Sequence, residues 1–146
     1  MPEKETLERA QQDKREGKSA STQAGEFVRE EIEHIREGKH GARSTRQAIA
    51  IGLSKARRAG VELPPSPGSS EEVKEQAERD MRKAKSGKKS TKSTKRSRAT
   101  SKALKREGHS AASRKALSRQ ARSAAKKRSA ASRSRSARKA AATRKK

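Results

Sequence analysis

Cysteine, tryptophan and tyrosine are absent from this chain, and phenylalanine occurs once, at Phe27. Without cysteine there is no disulfide framework, no thiol nucleophile and no thiolate metal site, a pattern that fits a reducing compartment. With a single aromatic ring, the base stacking used to hold single strands is not available. No apolar run approaches the roughly 18–20 residues of a membrane span. The opening MPEKETLERA lacks the apolar stretch of a secretory signal. The expectation is a cytoplasmic protein with no membrane partner. Neither GxGxxG nor the phosphate loop GxxxxGK followed by Ser or Thr occurs. Ser and His are present without a nucleophile motif, and an apolar content of 27% leaves too little material to enclose a pocket. The chain is therefore expected to be no enzyme and to carry no cofactor or metal. His34, His40 and His109, the three histidines, are assigned structural or surface roles, because no second strong ligand stands at a suitable spacing.

Acidic residues are also scarce where basic ones are dense. Lys and Arg number 41 against 17 acids, a net charge of +24. Residues 1–68 hold 13 basic and 11 acidic residues, and 69–85 hold five of each. Residues 86–146 hold 23 basic residues and one acid, Glu107. The chain reads as a near-neutral head, 1–63, a Pro/Gly/Ser linker, 64–69, a charged helix, 70–85, and a polycationic tail, 86–146.

What is present in the head is helix punctuation, written twice. REGKSASTQA at 15–24 and REGKHGARSTRQA at 36–48 each run from charge through glycine to a Ser-Thr pair and Gln-Ala. Glycine ends a helix, and a serine three residues before Gln or Glu starts the next. The fold class expected is all-α, with helices at about 3–16, 22–37, 45–59 and 70–85. The first is nearly all polar and relies on ion pairs three or four residues apart. In the second, Phe27, Val28, Ile32 and Ile35 form one stripe. In the third, Ser44 and Gln47 form a capping box. Ala48, Ile49, Gly52, Leu53, Ala56 and Ala59 line one face, and Val61 is placed to fold back on the last turn. LPPSPGS at 63–69 stops it. Segments 22–37 and 45–59 form a small antiparallel unit whose few large apolar side chains do not offset the entropy of ordering it. That unit needs self-association or a partner, or is only partly folded; Phe27, Val28, Ile32, Ile35, Ile49 and Leu53 are the candidate homo-oligomer contacts, with the intramolecular core between the two helices as the other reading of the same apolar faces. From Ser86 onward the alphabet shrinks to Lys, Arg, Ser, Ala and Thr, with SAASR at 110–114 and again at 129–133. Low complexity of this kind predicts disorder. Alanine and arginine favour helix, so 111–128 is the stretch expected to turn helical once phosphates neutralise it.

The stretch STQAGEFVREEIEHIREGKHGARSTRQAIAIGLSKARRAG, 21–60, resembles a family of small basic bacterial proteins loosely labelled DNA-binding or plasmid-stabilisation proteins, over roughly residues 1–65. The tail is similar in composition to those of linker histones and bacterial histone-like proteins. The resemblance implies DNA as a partner and a place in the nucleoid.

Physical chemistry points the same way. Duplex DNA carries one negative charge per about 1.7 Å, and cations that neutralise phosphates release condensed counterions. The candidate contacts are Lys88, Lys89, Lys92, Lys95, Arg96, Arg98, Lys102, Lys105, Arg106, Arg114, Lys115, Arg119, Arg122, Lys126, Lys127, Arg128, Arg133, Arg135, Arg138, Lys139, Arg144, Lys145 and Lys146. Lys39, Arg43, Arg46, Arg57 and Arg58 form a lesser patch on the head. A disordered tail holds no side chain rigidly at a base edge, so binding is expected to ignore sequence. Serines within RSRS, 133–136, are spacers whose phosphorylation would weaken binding. Glu30, Glu31, Glu33 and Glu37 are placed to pair with the tail and moderate it. The reading is a nucleoid-associated, histone-like protein that compacts or bridges DNA. Its alternatives are an RNA- or ribosome-associated protein and an adaptor whose tail anchors it to nucleic acid.

Overall fold

The structure is a computed structural model and describes residues 2–66, 68–87, 91 and 93–145. Among the described residues there are seven α-helices, one 3₁₀ turn and no strand. The helices are α1 (Lys4–Arg15), α2 (Ala20–Arg36), α3 (Thr45–Arg58), α4 (Glu71–Ser86), α5 (Thr94–Arg106), α6 (Arg114–Lys126) and α7 (Ala130–Arg144). The 3₁₀ turn, Ser110–Ala112, lies between α5 and α6.

The twice-written phrase does close and reopen helices. After α2, Gly38 takes a φ of 78°. The Lys39 amide donates to the His34 carbonyl at 3.0 Å and the Gly38 amide to that of Ile35 at 3.1 Å. This pair of bonds satisfies carbonyls the helix end would leave open, and it recurs around Gly17 and Gly60. The restart before α3 is a capping box extended by one residue. Ser44 Oγ accepts from the Gln47 amide at 3.1 Å, and Gln47 Oε1 accepts from the Arg43 amide at 2.7 Å. α2 begins two residues earlier than expected because Ser19 is its cap, accepting from the Thr22 amide.

α2 and α3 run antiparallel. Phe27 shares a cluster with Ala56, and Ile32 and Ile35 share another with Ala48. Between these clusters a Cβ on Gly52 would stand 2.6 Å from Val28 Cα, so the two backbones cross almost in contact. α1 lies antiparallel along α2. Leu7 and Ala10 join the Phe27 cluster, and Arg9 Nε donates to Glu26 at 2.7 Å. Thr6 and Asp13 are also buried, so α1 is held by packing as well as by ion pairs. Val61 folds back against Ala56 as expected. α4 is latched by Asp80, which is 0% exposed. Its carboxylate accepts from Ser54 Oγ at 2.6 Å, Arg58 Nε at 2.9 Å and Gln76 Nε2 at 3.2 Å.

The tail differs from its expectation. Where disorder was predicted, α5, α6 and α7 occupy most of residues 94–144. Ala, Lys and Arg are good helix formers, and Ser93, Ser113 and Ser129 each accept a bond from an amide of the first turn. α6 covers much of the stretch expected to become helical on binding, and here it rests on the head through Leu117. Ala111 and Ala112 are buried in the same cluster as Ile32, Ile35, Ala42 and Ala48. The tail thus supplies apolar cover for one of the two clusters of the head. Five of the six residues proposed for self-association lie in or against these intrachain clusters. Phe27, Ile32 and Ile35 are buried, Val28 and Leu53 pack against the clusters, and Ile49 is partly exposed.

Candidate nucleic-acid interface

The tail docks on the head through its backbone carbonyls, and none of its described cations takes part. The Gly41 amide donates to the Leu104 carbonyl at 2.8 Å, and the Ala42 amide to that of Gly108 at 3.1 Å. Arg36 Nε donates to the Ala112 carbonyl at 2.8 Å, and Thr45 Oγ1 to that of Ala111 at 2.6 Å. Gly41 is needed for this approach, since a Cβ there would meet the Glu107 carbonyl oxygen at 2.0 Å. The head acids do not restrain the tail as expected. Glu33 pairs with Arg29, Glu37 with Lys39, and Glu30 and Glu31 are buried among head groups.

The described tail cations are left to solvent. Lys95, Arg96, Arg98, Lys102, Lys105, Arg106, Arg114, Lys115, Arg119, Arg122, Lys126, Lys127, Arg128, Arg133, Arg135, Arg138, Lys139, Arg144 and Lys145 are all exposed. Among the described residues no ion pair involves a cation beyond Lys85. Lys88, Lys89, Lys92 and Lys146 lie outside the described residues. Helix formation sorts the cations into faces. On α5, Arg98, Lys102 and Lys105 share one side with Ser97 and Ser101. On α6, Lys115, Arg119, Arg122 and Lys126 share one side with Ser118 and Ser123, while Leu117 turns to the head. These spacings of three and four residues put the cations on one stripe of a helix. The stripes were readable in the sequence once helix was granted, and the prediction of disorder hid them.

The head patch is divided. Arg43 lines a groove with Ser44 of the α3 cap, Ser113 of the α6 cap, Lys115 and Arg119, so the N-terminal ends of α3 and α6 border one cationic recess. Arg46 is exposed. Lys39 pairs with Glu3 and Glu37. Arg58 is bound to Asp80. Arg57 is 8% exposed and donates to the Leu63 carbonyl at 2.8 Å, and burial lowers its pKa against the opposing influence of Asp80.

A second polar cluster lies inside the head. Glu31, 1% exposed, is paired with Lys55 and has Oε2 3.2 Å from His40 Nε2 and Oε1 4.0 Å from His34 Nδ1. His34 Nε2 is 3.0 Å from Glu3 Oε1, and His40 Nδ1 is 2.9 Å from the Gly41 carbonyl. Bonds from His34 and Lys39 hold the Glu3 carboxyl below its ordinary pKa. The Glu30 carboxylate accepts from the Glu3 amide at 3.2 Å and so seats the start of α1. The spacing of Glu31 and His34, three residues apart on one helical face, is written in the sequence, but nothing local brings His40 to them. No helix of the described residues is long and apolar enough to cross a membrane.

No curated protein and no solved structure matches this chain. Residues 11–67, from the second half of α1 through α3 and into the linker, match a family of unknown function, DUF6496.

Proposed function

We propose that this protein binds DNA through the phosphate backbone without reading sequence, as a nucleoid-associated protein that bridges or compacts duplexes. The observation that carries the reading is the state of the tail cations: every described one is exposed and none is in an ion pair. Polyanions gain such a surface without breaking protein contacts, and the release of counterions drives the union. The α6 stripe and the Arg43 recess form one face, while α5 and α7 bury no residue and extend further cationic surface for a second duplex. Helical order brings side chains closer to the rigidity that base reading requires, and Lys and Arg pair with guanine as well as with phosphate, but the stripes carry no reader of adenine. The chain has no asparagine, and the tail's one glutamine, Gln120, lies on the less exposed side of α6. Asn and Gln are the bidentate readers of adenine, and the exposed stripes offer Lys, Arg and Ser.

The test is fluorescence anisotropy of a random-sequence duplex across a salt series. If about ten phosphates are engaged, log K against log salt should slope at roughly −9. Replacing Lys115, Arg119, Arg122 and Lys126 together by Gln should reduce the magnitude of that slope by roughly 3–4. Affinity unchanged between low and physiological salt would overturn the reading. Structured RNA that displaces duplex at equal phosphate concentration would move the role to RNA.

A further inference from the structure

We infer that His34, His40 and Glu31 form a binding site for a single divalent transition-metal ion of the zinc class. The argument starts from hydrogens. A carboxylate and a carbonyl can only accept, so the 3.0 Å contact with Glu3 puts the hydrogen of His34 on Nε2, and the 2.9 Å contact with Gly41 puts that of His40 on Nδ1. In the neutral rings the remaining nitrogens, His34 Nδ1 and His40 Nε2, present lone pairs, and both face the Glu31 carboxylate. Lone pairs opposed to an anion at these distances repel. A cation placed between them turns the repulsion into coordination.

The site has the chemistry such an ion needs. Two imidazoles and one carboxylate are a zinc donor set that leaves a fourth position for solvent. The three donor atoms lie within 4.8 Å of one another, and a tetrahedral ion with bonds of about 2.0–2.2 Å would draw them to roughly 3.4 Å. The rings are already splayed, with centroids 6.2 Å apart and planes at 81°. Their outer N–H groups are held by a carboxylate and a carbonyl, the arrangement that orients histidine ligands around metals. Glu3, Glu30 and Glu31 outnumber Lys39 and Lys55 in the cluster, so it is net negative before an ion enters, in a protein that is otherwise strongly cationic. Lys55 stays on Glu31 Oε1, which also faces His34, while Oε2 faces His40 and is free of the lysine for ligation. A second grouping, Glu3, Glu30 and His34, is also compact, but the Glu30 carboxylate there is committed to the Glu3 amide. The ion would pin the loop after α2, whose Gly41 and Ala42 amides receive the tail. This inference rests on the partly buried Glu31–His34–His40 cluster and is independent of the nucleic-acid reading.

The test is titration of the full-length, tag-free protein with Zn²⁺ by calorimetry, with Mg²⁺ as a control, and with Co²⁺ followed by its visible absorption. The expected result is one Zn²⁺ per chain, no uptake of Mg²⁺, and the intense visible bands of tetrahedral Co²⁺. His40→Ala should weaken Zn²⁺ binding at least tenfold, whereas His109→Ala, outside the ligand set, should leave it unchanged. Circular dichroism of His40→Ala establishes that it is folded; if it is not, His40→Gln serves in its place. Failure to take up Zn²⁺, or equal affinity in the His40 variant, would overturn the site.

Discussion

Asp80 and the glycines of α2 and α3 show how much a single side chain decides here. Burial pushes the Asp80 pKa up, but the bonds from Ser54 and Arg58, the Arg58 charge and the bond from Gln76 outweigh it, and the carboxyl lies below its ordinary value. A carboxyl depressed on folding contributes stability above its unfolded pKa and loses it as pH falls through the folded one. Urea denaturation should therefore give a stability that is level above about pH 5 and falls below about pH 4. Asp80→Asn should cost about 1–3 kcal/mol at pH 7, and its deficit against the parent should shrink as the pH is lowered through that window. Glycine-to-alanine changes should go in opposite directions at two helical positions. At Gly25, on the exposed side of α2, a Cβ meets nothing within 4 Å. Gly25→Ala should stabilise by about 0.5–1 kcal/mol through helix propensity. At Gly52 the same methyl would strike the Val28 backbone, so Gly52→Ala should destabilise by about 1–3 kcal/mol as the helices are forced apart. The midpoints of the same urea curves measure both.

At the scale of elements, the pentapeptide SAASR makes two different structures. At 110–114 its alanines form a buried 3₁₀ turn, and its second serine, Ser113, caps α6. At 129–133 its first serine, Ser129, caps α7, and its alanines are helical and exposed. Local sequence is the same, so the difference comes from the surface that each copy meets. Ile32, Ile35 and Ala48 offer the first copy an apolar seat, and the second meets solvent. A charge at each copy separates these roles. Ala112→Glu should lower the urea midpoint and open residues 104–117 to limited proteolysis, because a buried carboxylate is costly without a partner. Ala131→Glu should leave both unchanged.

For the whole molecule, tail and head are not separable at residue 86. Removing everything beyond that point takes away the exposed cations and also Ala111, Ala112 and Leu117 from the core. Lost DNA binding in such a truncation would combine lost charge with lost folding. A cut that removes 128–146 deletes α7, which buries nothing. That protein should melt at the parent temperature and bind duplex with a shallower salt slope, both readable by calorimetry and anisotropy. Removal of 104–146 should lower the melting temperature as well, because it strips the cover from the Ile32–Ile35 cluster.

Much of the head and all of the charge segregation are legible in the chain, because they depend on residues a few positions apart. Gly38 and Gly60 close helices, Ser44 and Gln47 open one, and the Phe27-to-Ile35 stripe sets the face of α2, all through contacts within one or two turns. The site was legible in composition but not in form. Nothing local marks Ala111 and Ala112 as core, since alanine is at home on a helix surface or inside. Nothing local brings His40 to Glu31, or Lys115 to Arg43. Those contacts join separate elements, and the close α2–α3 crossing and the docking at Gly41 create them. The sequence by itself determined where the helices break and where the positive charge accumulates. Only the tertiary structure decided that the tail completes the core with its alanines and keeps its described cations outside, because burying a methyl group is favourable and burying an unpaired charge is not.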